Sequence, residues 1–222
     1  ALEIGTSRTV LVVGEPLSAD RIRVAAVAEI PSIGVRQGRI TDVTQAGYSI
    51  ASVLKRIEKE GGYNVAETAL VVSGPQIATQ RVTTTWQTDA KTRKVTEEDV
   101  AAIYNNSLHD DPASRVLLDA TEQGYELDNV GGIDNPVGLT GDLLKLNTLL
   151  IHGPKSRLDD QRSAAANAKL AVSDTFFAGS CAAAAVLRAA DRAAGALVID
   201  LGGGCTPFTV WSDGKLVLAG VV

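Results

Sequence analysis

Apolar residues recur every second position in some stretches of the chain and every third or fourth in others, and this change of period maps its elements. Residues 8–14 (RTVLVVG) and 22–30 (IRVAAVAEI) are β-branched runs. Between them, Glu15-Pro16-Leu17-Ser18-Ala19-Asp20 carries the turn residues of a hairpin or meander. A further extended piece is expected over 34–40. Asp42 then stands where an N-cap belongs, and Val43, Ala46, Ile50, Val53, Leu54 and Ile57 make one apolar helix face that Gly61-Gly62 closes. Ala69-Leu70-Val71-Val72 reads as a buried strand ended by Ser73-Gly74-Pro75. Strands, a long helix and another strand form the order of an α/β sheet with helices packed on it.

From about Gln80 the pattern changes. Arg81–Thr88 alternates and is rich in threonine, and Thr96-Glu97-Glu98-Asp99 opens a short helix through about Leu108 with acids in its first turn. Extended segments follow at Arg115–Leu118, Gly124–Leu127 and Leu143–Ile151, broken by the Gly- and Asp-rich stretch Asp128–Asp142. This block reads as a small α+β unit inserted into the first sheet. After His152-Gly153-Pro154 a helix is expected to about Ala171, then a strand near Asp174–Phe177, a second helix over Ser180–Ala193 and an apolar strand over Ala196–Leu201. Pro207–Trp211 and Leu216–Val222 flank Ser212-Asp213-Gly214-Lys215, a strong hairpin signal. No internal repeat stands out. The last strand runs to the final residue without a stop signal, so the chain is expected to be a fragment that ends just inside a second sheet.

Composition narrows the functional classes. With 222 residues, 45% hydrophobic and 21% charged, the chain is an ordinary globular sequence of one or two domains. Its net charge of −5 has the wrong sign for neutralising nucleic-acid phosphates, and 4% aromatic residues are too few for a base-stacking platform. No run reaches the roughly 18 apolar residues of a membrane span, and the opening residues lack a basic leader and cleavage site. Cys181 and Cys205 have no Cys or His at metal-ligand spacing and read as reduced thiols of a cytoplasmic protein. His109 and His152 read as loop residues, Asp110-Asp111 and Asp159-Asp160 as solvated acids, and Trp86 and Trp211 as packing residues on strands.

Two turns carry the chemistry. The first is Glu3-Ile4-Gly5-Thr6-Ser7-Arg8, between an opening strand and the strand at Thr9–Val13. The second is Asp200-Leu201-Gly202-Gly203-Gly204-Cys205-Thr206, where a buried strand delivers an acid into three residues without Cβ atoms. Glycines let amide groups approach an anion closely, and an acid at a strand end can hold the waters of Mg²⁺. Each turn alone equally fits an ordinary glycine-rich hairpin. Neither matches the P-loop or dinucleotide pattern. As a pair, each with an acid before its glycines and a strand after, they point to two hairpins gripping one nucleotide phosphate chain from opposite sides.

ALEIGTSR (1–8) and VIDLGGGCT (198–206) resemble the two phosphate loops of the actin, Hsp70 and sugar-kinase superfamily. The stretches between them are similar to the FtsA family of bacterial cell-division proteins: GVRQGRITDV at 34–43, LVVSGPQI at 70–77, VTEEDV at 95–100, NPVGLTGDLL at 135–144 and GKLVLAGVV at 214–222. The resemblance covers nearly the whole chain in family order. It implies an α/β fold with an actin-like, ribonuclease-H-like first lobe, an inserted small α+β domain of the FtsA type and the start of a second actin-like lobe. The implied divisions are 1–79 and 153–195 for the first lobe, 80–152 for the insert and 196–222 for the second lobe.

The same resemblance implies an ATP- and Mg²⁺-binding protein that self-assembles into filaments and ties the FtsZ ring to the cytoplasmic membrane at the division site. Membrane attachment in the family uses a later segment, absent from these residues, and nucleic acid is not a partner. By residue, Gly5, Thr6, Ser7, Arg8, Gly202, Gly203, Gly204 and Thr206 are implied to contact the nucleotide, with Glu3 and Asp200 near the metal. Three positions depart from the family pattern: Glu3 replaces an aspartate, Pro207 replaces an aspartate, and Ala178-Gly179 stands where relatives carry a Glu-Pro pair that positions the attacking water. Phosphoryl transfer depends on such positioning, so at most weak ATP hydrolysis is expected. The alternatives are a pilus-assembly relative with the same insert, and a superfamily kinase or phosphatase, which needs the acids this chain has lost. An Hsp70-like lobe is disfavoured by where the insert lies.

Overall fold

A computed structural model describes residues 1–18, 21–89, 93–109 and 114–222. The expected turn residues Ala19-Asp20 and the acids Asp110-Asp111 lie outside these. The first sheet is built from β1 (Leu2–Ile4), β2 (Arg8–Ser18) and β3 (Arg21–Pro31), an antiparallel meander. The run expected to be extended over 34–40 is itself a tight hairpin, β4 (Val35–Arg36) and β5 (Arg39–Ile40). Helix α1 (Val43–Gly61) begins at Asp42, whose carboxylate accepts from the Gln45 amide, and ends at Gly62 in the left-handed region. Its apolar face, with Ala46, Ile50, Val53 and Ile57 buried, lies on the sheet. Strand β6 (Glu67–Val72) runs parallel to β1.

The threonine-rich block forms a separate four-stranded sheet: β7 (Ala78–Gln87), β8 (Arg115–Leu127), β9 (Val130–Ile133) and β10 (Leu143–Pro154), in the order β7-β10-β8-β9. Helix α2 (Glu97–Ser107) packs on it. Thr96 and Asp99 close a capping box, as the sequence pattern predicts. Three features differ from the sequence reading. The segments 115–118 and 124–127 are one strand with a bulge beside Gly124, because β10 pairs along its whole length. The stretch after it is a hairpin, with Asp128 and Asn129 both at positive φ supplying the turn and β9 the return strand. His152 lies inside β10 and is buried, not in a loop.

Beyond β10, helix α3 (Lys155–Asn167) stops four residues short of expectation. Lys169 takes a positive φ and the chain enters β11 (Ala171–Phe177), which pairs in parallel with β6 and completes the first sheet in the order β11-β6-β1-β2-β3. The single helix expected over 180–193 is two, α4 (Ala178–Val186) and α5 (Ala189–Ala194). The break is at Leu187, which is extended, because the Arg188 amide turns to the Asp191 carboxylate and starts a new N-terminus. Strands β12 (Ala196–Ile199), β13 (Pro207–Ser212) and β14 (Lys215–Val221) form an antiparallel third sheet. β12 ends before Asp200, so that residue belongs to the loop.

Two apolar clusters hold these sheets. The larger joins β1–β3, α1, α3, Leu118, Leu149 and Ile151 of the inserted sheet, and Leu216 and Ala219 of β14. The smaller lies under α2, around Ile103, Tyr125, Leu127, Leu144 and Leu146. β10 contributes to both.

Candidate functional site

The first loop exists because β1 and β2 are antiparallel neighbours joined by three residues. Gly5 donates its amide to the Arg8 carbonyl (3.0 Å), and a Cβ at Gly5 would sit 2.9 Å from that same oxygen, so only glycine fits the turn. The second loop joins β12 to β13. It is pinned by the Asp200 amide on the Pro207 carbonyl (2.9 Å) and by the Gly202 amide on the Cys205 carbonyl (3.2 Å). Among the described residues, no backbone carbonyl accepts from the Gly203 or Gly204 amide.

The two loops, nearly the length of the chain apart, touch. A Cβ at Gly203 would meet Ser7 Cβ at 2.8 Å, and one at Gly204 would meet Thr6 Oγ1 at 2.7 Å. Together they line a cleft of about 270 Å³, with Glu3 and Asp200 in its wall. Of the ten residues singled out from the sequence, nine line this cleft: Glu3, Gly5, Thr6, Ser7, Arg8, Asp200, Gly202, Gly203 and Gly204. Thr206 does not; it pairs with Val222 through both backbone groups at the end of the third sheet. Arg8 lines the cleft while its guanidinium donates to Glu29 at 3.0 Å.

The cleft is polar and carries a charge problem of its own. Burial pushes the Glu3 carboxyl above the usual range, the nearby Asp200 carboxylate adds to the shift, and Arg8 offsets part of it. Among the described residues no group of three or more His, Cys, Asp or Glu side chains is gathered to hold a metal. Two carboxylates beside a phosphate-sized space are nevertheless a donor set suited to Mg²⁺, which keeps most of its waters and takes its remaining ligands from substrate phosphates. A cation there would relieve the repulsion between Glu3 and Asp200.

Six further residues line the cleft that were not among those ten: Ile4, Gly38, Ser73, Leu201, Cys205 and Pro207. Pro207 was noted only as a departure from the family. Ser73 follows directly on β6, and Gly38 is at the tip of the β4–β5 hairpin; the glycine in GVRQGR was the available signal. Ala178 and Gly179 are buried at the start of α4, where a Cβ at Gly179 would collide with the Phe177 ring at 2.5 Å. No carboxylate occupies those two positions.

The remaining residues have structural partners. Trp86 donates its indole N–H to Asp99 (2.8 Å), and Trp211 donates to Thr209 (3.1 Å) while Arg192 lies 4.9 Å above its ring. His109 contacts the Asn105 carbonyl, and Asp159 and Asp160 are exposed on α3. Neither cysteine is in a disulfide.

Residues 74–152 match the family described as the SHS2 domain inserted in FtsA. Over the whole chain, the FtsA cell-division protein of Bacillus subtilis is 25% identical across 223 residues, covering 100% of this chain and 50% of its own length. FtsA of Escherichia coli K12 is 28% identical over 220 residues, 97% of this chain and 51% of its own. The chain is FtsA-like along its whole length. It is similar to the N-terminal portion of those proteins and spans about half the length of the curated relatives it matches. Among solved structures, a PilM-PilN type IV pilus biogenesis complex superposes with a TM-score of 0.62 at 16% identity, covering 100% of this chain and 60% of that one. The ethanolamine utilization protein EutJ from Carboxydothermus hydrogenoformans superposes at 0.51 and 14% identity, over 100% and 50%. These likenesses are in fold, and the fold is the actin-like α/β architecture with an FtsA-type insert.

Proposed function

We propose that this chain is the nucleotide-binding first part of an actin-like cell-division scaffold, which binds ATP with Mg²⁺ between its two glycine loops and hydrolyses it weakly or not at all. The observation that carries the reading is the convergence of the two loops, from opposite ends of the chain, on one cleft with Glu3 and Asp200 in its wall. Gly5, Thr6, Ser7 and Arg8 would contact the phosphates from one side, and Gly202, Gly203 and Gly204 from the other. Bound ATP would supply the phosphate oxygens that complete the coordination of the metal; the chain supplies the amides, the two carboxylates and the shape. Thr206 acts through its place in the sheet and not by contact.

Weak hydrolysis follows from the side chains that stand where the family resemblance implies catalytic acids. Pro207 lines the cleft with a ring that has neither a carboxylate nor an amide donor, and Ala178-Gly179 offers no polar group to orient a water. A superfamily kinase or phosphatase would need such groups. The pilus reading rests on likeness of fold alone, whereas the matches in sequence are to FtsA proteins.

By analogy with those relatives, the intact protein would self-assemble and work with an FtsZ-type partner at the cytoplasmic face of the membrane at the division site. The insert, divided here at 80–152, would be a protein–protein surface. No described helix is long and apolar enough to cross a membrane. The decisive experiment is titration of the intact protein with a fluorescent ATP analogue, with and without Mg²⁺. Saturable, magnesium-dependent binding is expected. Absence of binding up to millimolar concentrations would overturn the reading, and turnover at or above about 1 s⁻¹ would overturn its non-catalytic part.

A further inference from the structure

We infer that the β4–β5 hairpin is a third wall of the cleft and that Gly38, at its tip, is a positioning residue that sets the gap between the two glycine loops. The functional consequence rests on the nucleotide-binding reading above; the spacing itself rests on geometry alone.

The hairpin has two residues in each strand, too few to hold itself. It is fixed at its base, where the Thr41 and Asp42 amides both donate to the Gly34 carbonyl (2.8 and 3.2 Å). Asp42 is also the N-cap of α1, so the hairpin stands on the end of a long, packed helix. At the tip, Gln37 and Gly38 both have positive φ (48° and 65°), the turn geometry that aims the hairpin straight out.

That tip is wedged between the loops. The Gly38 amide donates to Thr6 Oγ1 of the first loop at 2.8 Å. A Cβ at Gly38 would lie 2.6 Å from Cys205 Sγ of the second loop and 3.0 Å from the Cα of Gly74, at the end of β6. A Cβ on Gly204 would approach the Cα of Gln37 at 3.1 Å. One turn therefore touches both loops, bonding to one and packing against the other with no atom to spare. Since Gly74 Cα is backbone and cannot turn aside, a side chain at 38 forces Cys205 to give way, by turning its sulfur or by a shift of the loop that carries it. Amides gripping a phosphate chain from two sides tolerate such a shift poorly.

The test uses the intact protein and three substitutions. Gly38→Ala is expected to weaken binding of the fluorescent ATP analogue about tenfold, in proportion to a sub-ångström misplacement. Gly38→Asn, which tolerates the left-handed backbone but adds a Cβ, is expected to do the same, separating contact from backbone strain. In a Cys205→Ala background, which removes the sulfur, Gly38→Ala should cost less than about twofold, so the pair is coupled. An equal loss in both backgrounds overturns the inference.

A second readout needs no nucleotide. With Cys181 and any cysteine outside this chain replaced by alanine, Gly38→Ala should accelerate iodoacetamide labelling of Cys205 several-fold, with circular dichroism unchanged. An unaltered labelling rate overturns the spacing role. If the parent protein binds no ATP analogue while labelling still accelerates, the nucleotide reading fails and the spacing role stands.

Discussion

Ionisation of Glu3 is opposed by the fold, since burial and the Asp200 carboxylate both work against its charge. Its folded pKa is raised above the unfolded value, so the protonated form is the better fit. Stability without a cation is therefore highest below the ordinary glutamate pKa and declines as pH rises through the folded value. Glu3→Gln should abolish that decline and raise the melting temperature at pH 7 relative to wild type, while weakening Mg²⁺-dependent nucleotide binding. Melting curves between pH 4 and 7 check this; parallel wild-type and variant profiles would refute it. Asp191 shows the opposite sign: hydrogen bonds from the Arg188 side chain and amide hold it down at about 2, so its contribution is present at neutral pH and disappears only as pH falls towards that value. The family resemblance placed Glu3 and Asp200 near one metal, but the burial that raises the Glu3 carboxyl was not legible, because no local spacing reports how deeply a loop residue is packed. The Asp191 effect was legible only as an acid three residues after an arginine.

At the scale of elements, local chemistry explains most boundaries. The helix start at Thr96 was readable because its capping box is four consecutive residues. In the fold, burial pushes the Asp99 carboxyl up, but bonds from Thr96 and from the Trp86 indole outweigh it and hold it low. Thr96→Ala should cost about 1 kcal/mol, measured by urea unfolding; a change below a few tenths would mean that the cap is idle. The break at Leu187 was missed because alanine-rich sequence favours one helix, while the competing bond from the Arg188 amide to Asp191 is a local alternative that propensity ignores. The terminal hairpin is tied to the insert by its own set of bonds: Lys215 Nζ to the Gln123 carbonyl (3.1 Å) and to Asp134 (2.7 Å), the Gln123 amide nitrogen to the Leu216 carbonyl (2.9 Å), and Arg81 to the Val217 carbonyl (2.9 Å). Lys215→Met removes two of these. Amide hydrogen exchange over 213–218 should then accelerate, with exchange in α1 unchanged; uniform acceleration would instead mean general destabilisation.

Across the whole molecule, β10 is the shared beam. Leu144 and Leu146 sit in the cluster under α2, whereas Leu149 and Ile151 sit in the large cluster beneath the first sheet. All four are essentially inaccessible, so truncating any of them to alanine should cost about 2–5 kcal/mol. The location of the damage should differ. Leu146→Ala is expected to loosen the insert first, seen as faster exchange in α2, while Ile151→Ala should destabilise both clusters together. Identical exchange patterns for the two variants would mean that the clusters unfold as one unit.

The sequence by itself determined the alternation of strands and helices, the change of texture that marks the insert, and the presence of two glycine loops each preceded by an acid, because these depend on residues close together along the chain. Periodicity reports which face of an element is apolar, and capping and turn residues act within three or four positions. That the loops converge was expected from their pairing; tertiary structure alone decided how closely they pack, that burial raises the Glu3 carboxyl, that Thr206 pairs with Val222 outside the cleft lining, and that Gly38 stands between the loops. Those outcomes depend on strand order and on contacts between residues far apart in the chain, and no local pattern encodes a distance across a fold.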